Sequence, residues 1–167
     1  MTSQQAMPPL GPAADGVAAL FRARYLEMVR LAGLLGADDP EDIAQEAFAR
    51  LMRKGGLAAD PAPYLRAIVC NLTRNRHRHL RVVREKTPRA VSEPSPEQAA
   101  ILREDHAEVI GALTALPARR REAIVLRFWL DLSEREIATT MGVSPGTVKS
   151  QLSRGLAALA RALEAKA

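Results

Sequence analysis

Residues 133–156 read SEREIATTMGVSPGTVKSQLSRGL, and this stretch specifies two helices with a tight turn between them. Ser133, followed three residues later by Glu136, is a capping box: the serine hydroxyl accepts from a free backbone N–H of the first turn, and the glutamate reaches back to the serine's own N–H. Gly142 suits the left-handed backbone that ends a helix. Ser144 and Pro145 then cap and open a second helix, whose Val148, Leu152, Leu156, Leu159 and Leu163 make an inward apolar stripe. A helix-turn-helix needs a small residue where its helices touch, a residue tolerant of positive φ at the turn, and an apolar residue seating the second helix. Ala138, Gly142 and Val148 meet those needs in order. An ordinary helical hairpin explains the caps. It does not explain why Thr147, Lys149, Ser150, Ser153 and Arg154 gather on the outer face, with Ser144 at its start, where side chains suit phosphates and base edges in a major groove.

Upstream, Pro117 begins a helix that runs to about residue 129. Before it, Ser95 and Gln98 form another capping arrangement, for a helix from there to about residue 116. Residues 86–96, KTPRAVSEPSP, hold three prolines and no apolar rhythm, which predicts a flexible linker. The residues before the linker give three more helices. The first covers about residues 15–35, with Val17, Leu20, Phe21, Met28, Leu31 and Leu35 inward and Gly36 as its stop. The second is opened by Asp39 and Pro40 and carries Ile43, Ala44, Ala47, Phe48, Leu51 and Met52 on its apolar side; Gly55 and Gly56 end it. The third is opened by Asp60 and Pro61 and turns Tyr64, Leu65, Ile68, Val69 and Leu72 inward. The expected architecture is therefore all-α: two small helical domains, residues 15–85 and 97–167, joined by a flexible linker at 86–96 and preceded by a disordered tail at 1–14.

Composition agrees with that architecture and excludes other classes. Of the 167 residues 47% are hydrophobic but only 4% aromatic, and the abundance of Ala and Leu favours helices over sheets. No run approaches the roughly 18 apolar residues of a membrane span, and the N-terminus has no signal-peptide pattern, so the expectation is a cytoplasmic protein without membrane insertion. A single cysteine, Cys70, supports neither a disulfide framework nor a zinc site and reads as a small buried apolar side chain. No nucleophile–base or paired-carboxylate pattern stands at plausible helix positions, so no enzyme activity, small-molecule substrate, metal or cofactor is expected.

The net charge of +5 is unevenly placed. Residues 61–90 hold eight basic residues against one acidic, whereas residues 1–60 hold six against eight. Within the basic segment, residues 71–84 read NLTRNRHRHLRVVR. Arg74, Arg76, Arg78, Arg81 and Arg84 recur along one helix with few balancing acids, as expected of a segment lying along a polyanion. Asn71 and Asn75 share a helix face and could hydrogen-bond exposed bases; a local cap or simple solvation accounts for either asparagine equally well. His77 and His79 alternate with arginines and lack further ligands for a metal. In residues 38–53, DDPEDIAQEAFARLMR, Asp42, Gln45, Glu46, Ala49 and Arg50 fall on one face, opposite Ile43, Ala47, Phe48 and Leu51. Such a face is usually only solvated. Beside a basic DNA-reading helix, it is also a candidate protein-binding surface.

Taken in order, these blocks resemble the extracytoplasmic-function (ECF) sigma factors of the sigma-70 family over about residues 17–162, apart from the linker. DPEDIAQEAFARL is similar to the family's core-polymerase-binding segment, which implies that Asp42, Gln45, Glu46 and Arg50 meet the clamp helices of the largest polymerase subunit. YLRAIVCNLTRNRHR resembles the segment that opens and reads the minus-ten element, which implies single-strand contacts by Asn71, Arg74, Asn75, Arg76, Arg78 and Arg81. LPARRREAIVLRFWLDLSEREIATTMGVSPGTVKSQLSRGLAAL resembles the domain reading minus-thirty-five, with Ser144, Thr147, Lys149, Ser150, Ser153 and Arg154 at the DNA. The resemblance implies core RNA polymerase and promoter DNA as partners. An anti-sigma factor is a further implied partner, although no residue identifies one. Two positions depart from the pattern: Cys70 stands where an arginine often precedes the asparagine, and Asn75 stands where an acidic residue is usual. Both bear on which bases are read. A free-standing helix-turn-helix regulator, which leaves the arginine tract unexplained, and a helical adaptor that meets nucleic acid only non-specifically remain the rival readings.

Overall fold

A computed structural model of the chain describes residues 12–54, 60–86 and 107–166, with all their regular structure helical. Three helices form the N-terminal half: α1 (Pro12–Leu34), α2 (Pro40–Arg53) and α3 (Ala62–Lys86). The C-terminal half holds α4 (Ala107–Thr114), α5 (Ala118–Ile124), which continues as a π-helical turn over Val125–Trp129, then α6 (Glu134–Met141) and α7 (Pro145–Glu164). The expected linker, the Ser95 cap and the Gly55–Gly56 stop lie outside the described residues.

Local chemistry accounts for the boundaries. The Asp39 carboxylate accepts from the Asp42 N–H at 3.1 Å, with Pro40 in the first turn of α2, so the helix starts where a cap and a fixed φ coincide. Asp60 serves α3 in the same way, accepting from the Ala62 N–H at 3.1 Å. Gly36, at φ +90°, turns the chain out of α1. That helix begins at Pro12, three residues ahead of the expected Asp15, because a proline in a first turn gives up only an N–H that has no helical acceptor. The π-helical turn was not expected; no proline or glycine marks it in VLRFW. It closes with the Leu130 N–H donating to Val125 O at 3.3 Å and leads to Asp131, held at φ 52°.

The N-terminal core packs Met28, Leu31 and Ala32 of α1 against Ile43, Ala47 and Phe48 of α2 and Leu65 and Val69 of α3, all buried. Four sequence expectations need correction. Phe21 is 39% exposed, although its ring still packs on Tyr25 and Phe48. Tyr64 is 38% exposed and Met52 57% exposed. The Tyr64 ring lies under the Lys54 ammonium, 4.4 Å from its centroid, a cation–π contact made at the surface. Leu156 is 41% exposed, because the stripe of α7 turns there into an open apolar groove of about 540 Å³ shared with Leu34, Val109, Phe128 and Trp129.

The two helical domains are not isolated bodies. Their buried apolar residues form one continuous cluster, with α3 packed on α6 and α1 on α4. Arg121 is the polar centre of this junction. Its Nε donates to Leu113 O at 2.9 Å, and its Nη2 to Thr114 O at 2.7 Å and Leu116 O at 3.0 Å, which satisfies the carbonyls left free at the end of α4. Its Nη1 crosses to the other half and donates to Leu35 O at 3.1 Å. A side chain at position 36 would collide with that guanidinium, so glycine there is required both by the turn and by the contact.

Candidate nucleic-acid interface

The helix-turn-helix is built from α6 and α7. Ser133 and Glu136 complete their capping box, the Ser133 N–H donating to the glutamate at 2.8 Å and the Glu136 N–H to the serine hydroxyl at 3.2 Å. These bonds, the backbone one foremost, hold the Glu136 carboxyl below the usual carboxylate range. Gly142 adopts φ 66°, and the Val143 N–H returns to Ala138 O at 3.0 Å, closing the turn. Ala138 and Val148 are buried between the two helices, as their spacing predicted. A second glycine escaped the sequence reading. Gly155 is buried, and a Cβ there would stand 2.8 Å from Ile124 Cδ1, so its bare backbone lets α7 close on α5.

With α7 seated in this way, Thr147, Lys149, Ser150, Ser153 and Arg154 are all exposed on one face. Ser144 is exposed as well, but its hydroxyl is engaged: it accepts from the Thr147 N–H at 3.2 Å and lies 3.0 Å from Thr147 Oγ1. Its work in the fold is to start the helix that carries the others.

The arginine tract divides between surface and interior. Asn71, Asn75, Arg78 and Arg81 are exposed. Arg76 pairs with Asp42 at 2.7 Å and so ties α3 to α2. Arg74 turns the other way, toward the C-terminal half, where its Nε stands 3.3 Å from a carboxylate oxygen of Glu122. Glu122 is buried and also receives Arg119 at 3.0 Å, while Arg119 donates to Met141 O at 3.0 Å. Burial pushes the Glu122 carboxyl up, against the pull of both arginines. Arg66, Cys70 and Arg74 are spaced four apart and form the face of α3 that meets this cluster. Cys70 is buried as expected, and burial pushes its thiol well above the usual range. The role of Glu122 was not legible beforehand, since Arg119 and Glu122 at i, i+3 read as an ordinary surface pair. His77 lies 2.8 Å from Gly36 O and is a structural tie between α3 and the turn after α1.

On α2, Asp42, Gln45 and Arg50 are exposed and Glu46 is half-buried on the same face. Glu46 accepts from Arg50 and from Arg53, each at 3.0 Å, which lowers its carboxyl below the usual range. Gln45 donates to the Tyr25 hydroxyl at 3.4 Å. Among the described residues no cluster of side chains could hold a metal ion, and no helix is long and apolar enough to cross a membrane.

Residues 106–159 match the family model described as sigma-70, region 4. The chain is 37% identical over 134 residues to the RNA polymerase sigma-E factor of Streptomyces antibioticus, covering 77% of this chain and 72% of that protein. Against the sigma-E factor of Streptomyces avermitilis it is 35% identical, with 87% and 83% covered. Against ECF sigma factor SigL of Mycobacterium tuberculosis it is 31% identical, with 91% and 93% covered. The chain belongs to the ECF RNA polymerase sigma factors of the sigma-70 family. The sigma-factor fold extends over nearly the whole molecule. The sigma factor RpoE of Bartonella quintana, solved with the anti-sigma factor NepR, superposes with a TM-score of 0.72 at 20% identity, covering 90% of this sigma factor and 98% of that chain. CnrH, solved with the cytosolic domain of CnrY, gives 0.66 at 22% identity, covering 93% and 94%. A free-standing regulator is not favoured by any of these likenesses.

Proposed function

We propose that this sigma factor directs core RNA polymerase to promoters through three surfaces. The outer face of α2, with Asp42, Gln45, Glu46 and Arg50, docks on core polymerase. The tract of α3, with Asn71, Asn75, Arg76, Arg78 and Arg81, holds the opened minus-ten strand: arginines attract the backbone, and asparagines hydrogen-bond splayed bases. The outer face of α7, from Thr147 to Arg154, enters the major groove at minus-thirty-five, with Lys149 and Arg154 at phosphate or base edges. The observation that carries this reading is the exposed polar face of α7, set on a capped helix-turn-helix whose glycine turn and buried Val148 fix its direction. The protein makes and breaks no bonds itself; polymerisation belongs to its partner. It works in the cytoplasm, where polymerase and promoter are, and an anti-sigma factor is the partner expected to restrain it.

The test is capture of core RNA polymerase by the purified chain, followed by transcription from supercoiled templates with permanganate mapping of unpaired thymines. Polymerase-dependent transcripts and permanganate-reactive promoter thymines are expected. Binding to duplex DNA with no capture of polymerase would overturn the reading.

A further inference from the structure

Helix α7 is held against α5 at two points. One is apolar: at Gly155 the helix closes on Ile124. The other is polar and lies just ahead of the helix. Arg119 sends its Nη2 to Met141 O at 3.0 Å and its Nη1 to a carboxylate oxygen of Glu122 at 3.0 Å. Met141 is the last residue of α6, and its carbonyl is one of those that a helix end leaves without a helical partner. The guanidinium therefore ties the turn of the helix-turn-helix to a helix outside the motif. Side-chain packing does not steady that turn at Gly142, where a Cβ would meet nothing within 4 Å. Glu122 in turn gives the guanidinium its direction. The residue is 2% exposed, its carboxylate also meets Arg74 at 3.3 Å, and its Oε1 has no hydrogen bond in the protein. A buried ion pair of this kind is a weak source of stability, but it restricts where an arginine points.

We propose that Arg119, oriented by Glu122, is a positioning residue for promoter reading: it touches no DNA, but it sets the angle at which α7 enters the major groove and so decides which base edges Thr147, Lys149 and Ser150 reach. The inference rests on the role proposed above for α7. The geometry is that of a lever. Pro145 and Gly155 are ten residues apart on α7, about 15 Å along the axis, so a tilt of about 5° about the Gly155–Ile124 contact moves the start of the helix by about 1.3 Å. Hydrogen bonds to base edges span only about 0.5 Å of useful donor–acceptor distance. Attraction between a side-chain cation and a phosphate falls off slowly with distance and survives the same shift. Loss of the tether therefore costs discrimination between sequences more than it costs affinity for DNA.

The test uses holoenzyme formed by the full chain with core polymerase. Affinity is measured for a duplex carrying a promoter mapped with the unmodified protein, and for the same duplex with its minus-thirty-five element scrambled. Arg119→Met removes both donors and keeps the apolar stem. Arg119→Lys keeps a cation beside Glu122 but puts one nitrogen in place of the two that now divide between the carboxylate and the carbonyl. The Arg119 side chain is 36% exposed, so both replacements spare the core. Each should lower the ratio of the two affinities by on the order of tenfold, as for the loss of one base-edge contact, and leave the slope of log affinity against log salt unchanged. A role in stability alone lowers the active fraction, which affects both duplexes alike and does not move the ratio. A ratio kept in full by either folded variant overturns the proposal. So does a slope that falls by about 0.9, the mark of a lost phosphate contact. Unmodified holoenzyme that does not distinguish the two duplexes overturns the role of α7 itself, whereas discrimination retained by the variants overturns the positioning role alone.

Discussion

Gly142 sits at φ 66° with open space around the position where a Cβ would be, so its replacement isolates backbone strain from packing. Gly142→Ala should cost about 1 to 2 kcal/mol, and Gly142→Asn distinctly less, because asparagine tolerates the left-handed region. Urea unfolding followed by circular dichroism measures both, and equal losses would contradict the strain account. This residue was readable from sequence because a cap, a glycine and a second cap occurred at fixed offsets. Gly155 was not. Its reason is Ile124, thirty-one positions away, and no local pattern reports such an approach. Arg121, Glu122 and Arg74 escaped for the same cause. Each has a charged side chain whose usual place is the surface, and only tertiary packing decides which arginine of a tract turns inward.

At the scale of the element, the capping box of α6 makes a pH prediction. Glu136 is held below its ordinary value in the fold, so its contribution is complete above about pH 4.3, the unfolded value, and is lost as the pH falls through the lower folded value. Glu136→Gln should flatten that acid limb of stability, and Ser133→Ala should cost about 1 kcal/mol at neutral pH; both are measured by thermal unfolding across pH. Helix α2 allows a test of function. Asp42→Arg with Glu46→Arg reverses the charge of the face proposed for polymerase and should weaken capture by on the order of tenfold or more, about 1.4 kcal/mol. The fold should survive, since the Asp42–Arg76 and Glu46–Arg50 pairs are exposed and such pairs contribute about 0 to 1 kcal/mol. Unchanged capture by the folded double variant would remove α2 from the interface. The starts of α2, α3 and α7 were legible because aspartate–proline and serine–proline pairs stand at them. The π-helical turn was not, having no sequence mark, and neither was the direction of Tyr64, which the helical period alone turned inward.

Across the whole molecule, the surfaces proposed for DNA differ in what they should do when altered. Asn71→Ala with Asn75→Ala should leave polymerase capture and closed-complex formation nearly intact while reducing open complex, read as permanganate reactivity. Arg78→Ala with Arg81→Ala should weaken strand binding generally and flatten the plot of log affinity against log salt, by about 0.7 for each single-strand phosphate that is no longer neutralised. An unchanged slope would mean that neither residue meets a phosphate. The sequence supplied two helical domains and their exposed faces, but it described separate cores, whereas the apolar clusters are continuous across the junction. That continuity also has a consequence for biosynthesis. Arg121 and Leu35 are 86 positions apart, and at roughly 5 to 20 residues per second of bacterial translation the end of α1 waits several seconds for its partner. In the later part of that interval, once α3 (Ala62–Lys86) has been made, the nascent chain presents an uncovered face of α3, with Arg66, Cys70 and Arg74 bare, to whatever polyanion or chaperone stands at the ribosome exit.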